Sequence, residues 1–414
     1  MSFGQGLSGL KAAAQKLDVI GNNIANSGTV GFKSSSVAFA DVYASSRVGL
    51  GVQISSVNQD FSVGNLTVTG GQFDMAIDGA SGLFRVIDES GSVYFTRNGQ
   101  FSQDKNGYIV NAQGQYLTGY ILDRETGAYS MAPEAIRVPT GNIAPRATGT
   151  VDGVTVRAMN LDATAEAPAA AVPFPSLNGD VVNPNSYNMS VPLTVYDSLG
   201  REHQLTQYFR KTGTNTWEVY YQLGDKPPAD PTDPASWQRQ TITFQSNGTI
   251  QTVPAPTYQI PFTVGGADPL NIPVSYVGAT QFGGPFNYEF RQDGYATGEY
   301  ASMTVAADGT IMANYTNGEL LEVGYVVLAD FPNVQGLSPS GGNAWTQTAE
   351  SGAPRLGRPG LNGLASIMSQ AVEESNVDIS TQLVDMIISQ RTYQANAQAI
   401  TTQSEMMQTL MNIR

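Results

Sequence analysis

The chain has 414 residues, a formal net charge of -14, no cysteine and a single histidine, His203. An acidic balance without any basic run argues against nucleic acid as a partner, because phosphate binding needs clustered Lys and Arg. The missing cysteines remove disulfides and thiolate metal sites, and one histidine cannot build a usual zinc site.

The opening "MSFGQGLSGLKAAAQ" has no cationic start, apolar core or small-residue cleavage site, so no cleaved signal peptide is expected. No apolar run reaches transmembrane length, and no membrane insertion is expected. Leu7, Leu10, Ala14, Leu17, Gly21 and Ile24 recur in steps of three and four, which places them on one stripe of a helix over 7–24. From Gly21 to Gly31 the chain crowds Asn and Gly together, and the helix is expected to fray and turn there. Asn tolerates left-handed backbone and caps free peptide groups, and Gly removes the steric cost.

The next signals are β. Residues 82–120 alternate short apolar strands with turns at Glu89-Ser90-Gly91, Asn98-Gly99, Asn106-Gly107 and Gln113-Gly114. A second β region spans about 150–290, with hairpins in "HQLTQYFRKTGTNTWEVYYQL" and "TITFQSNGTIQTV". A third, 301–331, turns at Asp308-Gly309 and Asn317-Gly318. All 22 prolines fall between Pro133 and Pro359, and "DKPPADPTDPASW" reads as a surface loop. Proline- and Gly-containing links near 140–150 and 285–298 are candidate hinges.

The C-terminal stretch is the stronger helix. Leu383, Met386, Gln390, Tyr393, Ala397, Ile400, Ser404, Met407 and Met411 hold a 3,4 rhythm over four heptads. Such a stripe reads as a seam against another helix, with the N-terminal stripe as its partner. The fold class is α+β and multidomain: paired N- and C-terminal helices, coiled-coil-like, and two mainly antiparallel β domains, the outer inserted in the inner.

Chemistry-bearing patterns are weak. "GQGLSG" satisfies GxGxxG, but three residues before Gly4 cannot supply the strand that the dinucleotide fingerprint needs. "SQDKNGYIV" and "AADGTIM" lack the twelve-residue spacing and closing Glu of a calcium loop and read as hairpin turns. His203 reads as a strand-edge surface residue, Glu373-Glu374 as a carboxylate pair with no evident pocket, and Trp217, Trp237 and Trp345 as core packing. No catalytic residue, cofactor or metal is expected, and the chain is not read as an enzyme.

Two terminal motifs in order carry a resemblance. "SGLKAAAQKLDVIGNNIANSGTVGFKSSSVAFAD" (8–41) and "QLVDMIISQRTYQANAQAITTQSEMMQTLMNIR" (382–414) resemble the signatures of the bacterial flagellar rod and hook protein family. Asn22, Asn23, Asn26, Gly31 and Phe32 carry the first; Gln390, Arg391, Tyr393, Gln394, Ala395 and Asn396 carry the second. "GSVYFTRNGQFSQDKNGYIVNAQGQYLTGY" and "GYVVLADFPNVQGL" resemble the family's inner β domain. The large inserted region places the chain nearer the family's hook members than its shorter rod members, the distal rod being the alternative; a secreted β-rich adhesin or glycan-binding module is the remote one.

The resemblance implies a tubular homopolymer, a curved joint carrying torque. Segments 1–72 with 357–414 would line the tube, with 73–149 and 289–356 as the inner β domain and 150–288 as the outer. Its implied partners are many copies of itself in a helical tube, the distal rod protein, the hook cap protein, the hook-filament junction protein and the flagellar export apparatus. It further implies manufacture in the cytoplasm and a final place in the extracellular hook of the bacterial flagellum.

Overall fold

Helix α1 (Phe3–Ala25) opens the chain and helix α2 (Ile379–Asn412) closes it. The computed structural model describes residues 3–42, 51–123, 126–169, 174, 177–178, 181–224, 237–251, 257–262 and 265–412. The proline-rich stretch read as a surface loop at 225–237 lies, apart from Trp237, outside them. The described residues gather into two compact units: 1–140 with 301–314 and 320–414, and 141–300 with 315–319.

The first unit interleaves the two ends of the chain. Helix α1 runs through Gly21, Asn22 and Asn23, so the expected fraying over Gly21–Gly31 begins about a turn later than the composition indicates. The reason is local: Asn26 donates through its backbone to Asn22 O at 3.1 Å and through its side chain to Asn22 Oδ1 at 3.0 Å, which keeps the last turn closed. Strand β1 (Ser35–Val42) then pairs antiparallel with β2 (Gly51–Gln59), a hairpin whose weak apolar alternation hid it in the sequence. Strand β3 (Leu66–Val68) pairs with Ala371–Glu373, and Met75–Asp78 pairs with Ser366–Ser369. Residues 66–68 and 75–78 are therefore laid onto the segment that leads into α2.

The β body of this unit follows the turn chemistry. Leu83–Ile87 and Val93–Thr96 fold around Gly91, Phe101–Gln103 and Ile109–Asn111 around Gly107, and Thr310–Tyr315 and Leu320–Val326 around Gly318. All three glycines sit at φ between +85° and +89°, where a side chain would be strained. Asn98-Gly99 is different. Val93–Thr96 pairs with Leu83–Ile87 and Ala344–Thr346, whereas Phe101–Gln103 pairs with Ile109–Asn111, so Asn98-Gly99 is a crossover and not a hairpin turn. Gly99 is needed there for space, since a Cβ would sit 1.5 Å from Met75 O. Leu83, Phe95, Phe331 and Trp345 close one core of this unit.

In the second unit a four-stranded antiparallel meander, Met189–Tyr196, Glu202–Gly213, Thr216–Leu223 and Gln238–Thr243, packs on a second sheet. That sheet is built on Val154–Asp162, which pairs antiparallel with Asn287–Gln292 and in short parallel runs with Leu270–Ser275 and Thr280–Phe282. Val154, Val195, Phe209, Trp217, Ile272 and Tyr276 meet between the sheets. The candidate hinge stretches near 140–150 and 285–298 are tied to each other: Ile143 pairs with Gly298 and Arg146 with Tyr295, antiparallel. These are isolated bridges outside any strand, and Pro145, which has no N–H to donate, lies between the bridged Ile143 and Arg146.

Candidate assembly site at the chain termini

Helices α1 and α2 lie antiparallel, and their contact is made by small residues. A Cβ built on Gly6 would lie 3.1 Å from Ile400, and one on Gly9 would lie 3.0 Å from the Asn396 amide. Ala12, Ala13, Ile20 and Asn23 continue that buried face of α1; Ser389 and the half-buried Gln382, Asn396 and Ile400 continue it on α2. Two of the glycines of "GQGLSG" thus act in close helix approach, the use that lets backbones come near each other.

This face is offset from most of the stripes read in the sequence, although Ile400 of the C-terminal stripe lies at the contact, opposite Gly6. On α1, Leu7 is exposed and Leu10, Ala14, Leu17 and Ile24 are half-buried. On α2, Met386, Ala397 and Ile400 are half-buried, whereas Leu383, Gln390, Tyr393, Ser404, Met407 and Met411 are exposed. The physical reason is packing distance: glycine and alanine admit a second helix more closely than a leucine stripe does, and the bulky residues are left on the flanks.

Below the helices the asparagines of the first motif diverge in role. Asn23, 1 % exposed, donates to Ser35 O at 2.8 Å, accepts from Ser35 N at 2.9 Å and reaches Gln382 Oε1 at 3.2 Å. It joins α1, β1 and α2 at one point. Asn22 is exposed and Asn26 half-buried, and their contacts stay within the turn. Gly31, at φ +69°, passes so close to the chain at 97–98 that a Cβ would sit 2.5 Å from Asn98 N; its N–H donates to Glu373 O at 2.7 Å. Phe32 follows half-buried.

Next to Gly31 lies a buried charge cluster. Lys33 Nζ is 2.5 Å from Glu373 Oε1 and 2.5 Å from Ser62 O, and Arg97 Nη1 is 3.2 Å from Glu373 Oε2. Arg97 also donates to Gly79 O at 2.9 Å and Ala80 O at 2.6 Å, and Gly64 N donates to Glu373 Oε1 at 2.9 Å. Burial pulls Lys33 and Arg97 down from their usual values, with the Glu373 carboxylate opposing it in both. Asn376 completes the junction, accepting from Ser34 N at 2.8 Å and donating to Asp60 O at 2.8 Å. Sequence pattern singles out neither Arg97 nor Asn376, and it offers Glu373 only as half of a carboxylate pair with Glu374; the one signal for the cluster is a lone Lys between Phe32 and Ser34 with no neighbouring acid.

Along α2, Gln390, Arg391, Tyr393, Gln394 and Ala395 of the second motif are exposed, and Asn396 turns under Gly9. Ile379, Leu383, Val384, Ile387 and Ile388 form an exposed apolar face on its first turns, and Met406, Met407 and Met411 stand exposed near its end.

The other candidate groups are engaged structurally. His203 is partly buried, with Nε2 3.0 Å from Asp197 Oδ2, and is not a free surface residue. Burial pushes the fully buried Asp197 up, but His203, Arg201 and the N–H of Leu199 outweigh it and hold this carboxyl well below the usual range. Glu374, exposed, accepts from Thr67 Oγ1 at 2.7 Å, so it and the buried Glu373 share no site. Asp104 accepts from Asn106 N and Tyr108 N, and Asp308 from Thr310 N, as turn residues do. Trp217, Trp237 and Trp345 are buried.

Comparisons with known proteins agree in register along the whole chain. Residues 5–33 match the family described as "Flagella basal body rod protein", 76–158 the "Flagellar hook protein FlgE/F/G D1 domain", 160–295 the "Flagellar basal body protein FlaE D2 domain", and 368–413 the "Flagellar basal body rod FlgEFG protein C-terminal". The chain is 40% identical over 420 residues to a flagellar hook protein FlgE of Escherichia coli strain K12, covering 100% of both. It is 40% identical over 419 residues to that of Salmonella typhimurium strain LT2, again over 100% of both. Its fold is similar to the crystal structure of Helicobacter pylori flagellar hook protein FlgE2, with a TM-score of 0.54 at 15% identity, over 74% of this chain and 99% of that one.

Proposed function

The chain belongs to the flagellar hook protein family and is a structural subunit of the hook, and from that premise we propose that its paired terminal helices, repeated over many copies, line a curved hollow tube that carries torque from rod to filament. The observation that carries this reading is the apolar face of α2. Ile379, Leu383, Val384 and Ile387 are exposed in the single chain, and a helix in water gains its stability mainly by burying such a face. Neighbouring copies supply the cover. The exposed Gln390, Gln394 and Gln398 give the same helix an uncharged polar side suited to a channel wall along which unfolded subunits pass.

At its ends the tube would meet the distal rod protein, the hook cap protein and the hook-filament junction protein, and its subunits would arrive through the flagellar export apparatus. Family membership supports these contacts. We assign the chain no catalytic role; the Asp197–His203 pair secures a turn in the second unit.

Electron microscopy of basal bodies from cells lacking this gene tests the reading. Complete rods ending without a hook are expected. Rods truncated at their distal end would make the chain a shaft protein, and intact organelles would refute the assignment.

A further inference from the structure

Two features of the terminal region are unsatisfied within one chain. The first is an open, mainly apolar pocket of about 390 Å³ between α1, α2 and the β1–β2 hairpin, with Ala13, Phe39, Val52, Ile388 and Ser389 in its wall and Lys16, Thr392 and Asn396 as its other polar lining. Ser389 is 3 % exposed and its Oγ has no hydrogen-bond partner among the described residues. A buried hydroxyl left without a partner costs free energy. Lys16 makes no ion pair among the described residues.

The second is the end of α2. Because Gly6 faces Ile400 in an antiparallel pair, the helix beyond Gln403 has no residue of α1 opposite it among the described residues. About 14 Å of helix projects there at 1.5 Å per residue. It bears Glu405, Met406 and Met407, with both methionines more than half exposed.

We propose that the projecting end of α2 from one copy docks in this cavity of the next copy, with Met406 entering the apolar wall and Glu405 meeting Lys16. The inference rests on the hook-subunit reading and names the contact that would join its copies. Hole and knob match in chemistry. A methionine is flexible enough to fill an irregular apolar gap. The signs of Glu405 and Lys16 are opposite. The same chain carries both halves on different surfaces, so the contact is heterologous and propagates from copy to copy without closing on a dimer, as an open helical assembly requires.

The test is a pair of cysteines in a chain that has none of its own. Thr392→Cys lies in the cavity wall and Met406→Cys on the projecting end. Within one chain these positions are separated by about 21 Å of helix, far outside the Cα separation of about 7 Å that a disulfide tolerates. Any bridge therefore joins two copies. Hooks isolated from cells expressing the double variant and oxidised are expected to give a ladder of dimers, trimers and higher multimers on a non-reducing gel. The ladder should collapse on reduction and be missing from both single variants. Hooks seen by electron microscopy that give no ladder would overturn the docking proposal and leave the hook-subunit reading standing; wild-type chain that builds no hook would refute that reading instead.

If the double cysteine variant fails to assemble, Lys16→Glu and Glu405→Lys decide. Each alone should reduce hook number several-fold and the two together restore it. No restoration would overturn the proposal.

Discussion

Lys33 Nζ lies 2.5 Å from Glu373 Oε1, and solvent reaches neither side chain. The two residues are 340 positions apart, so one ion pair ties the exit from the first helix to the entry into the last. Arg97 reaches the same carboxylate from the β body. Removing one partner of such a cluster leaves an uncompensated buried charge, which costs more than the pair itself contributes.

Glu373→Gln is accordingly expected to destabilise the first unit by about 3–5 kcal/mol. Lys33→Met should cost less, because Arg97 still neutralises Glu373. Denaturant melts of the purified chain check both, and equal costs would mean that Arg97 does not share the carboxylate.

The asparagines of the first motif should separate cleanly. Asn23→Ala removes hydrogen bonds at a buried position and is expected to cost about 1–3 kcal/mol. Asn22→Ala touches an exposed turn and should stay within about 0.5 kcal/mol. Thermal unfolding followed by circular dichroism distinguishes them.

Glycines of α1 are expected to diverge in the same way. Gly9→Val places bulk against Asn396 and should splay the helices, lowering hook assembly as counted by electron microscopy. A Cβ on Gly21 meets nothing within 4 Å in the single chain. Gly21→Ala should therefore raise the helix stability of the isolated chain by up to about 1 kcal/mol. Loss of assembly in that variant despite a stabler monomer would place a neighbouring copy against Gly21.

Acid should weaken the second unit through Asp197. The folded pKa of this carboxyl is depressed below its ordinary 3.8, so its contribution is fully present above that value and is lost as pH falls toward the folded pKa. Asp293, where burial is outweighed by the N–H groups of Gly149, Val151, Gly153 and Asp152, acts with the same sign. Melting temperature measured from pH 6 to pH 2 should drop below about pH 4, and the slope should be shallower in Asp197→Asn.

The channel-wall reading predicts that Gln390→Lys, Gln394→Lys and Gln398→Lys together slow filament growth while hooks of normal shape still form. Filament length after a timed regrowth measures it; unchanged growth would remove charge neutrality as the reason for these glutamines.

Most hairpins were legible in the sequence because a turn is local chemistry. Asn106-Gly107 and Asn317-Gly318 each hold the positive φ that their own two residues permit. Asn98-Gly99 has the same letters, but the strands on either side of it pair with different partners, which makes it a crossover, and the Met75 carbonyl leaves room there only for glycine. Both terminal helices were legible too, since period 3.6 is written in every turn.

The close approach of the two helices was legible only in part: Ile400 belongs to the C-terminal stripe, whereas its partner Gly6 carries no hydrophobic signal. Hydrophobicity points to Leu7, Leu17 and Leu383, whereas the contact runs through Gly6, Gly9 and Ala13, residues whose worth is the space they leave open. Sequence by itself determined the two terminal helices, most of the hairpins and the family, because these rest on local pattern and on motifs within single segments. Tertiary structure decided the helix interface and the Lys33–Arg97–Glu373 cluster, because close approach and burial are properties of residues brought together from opposite ends of the chain.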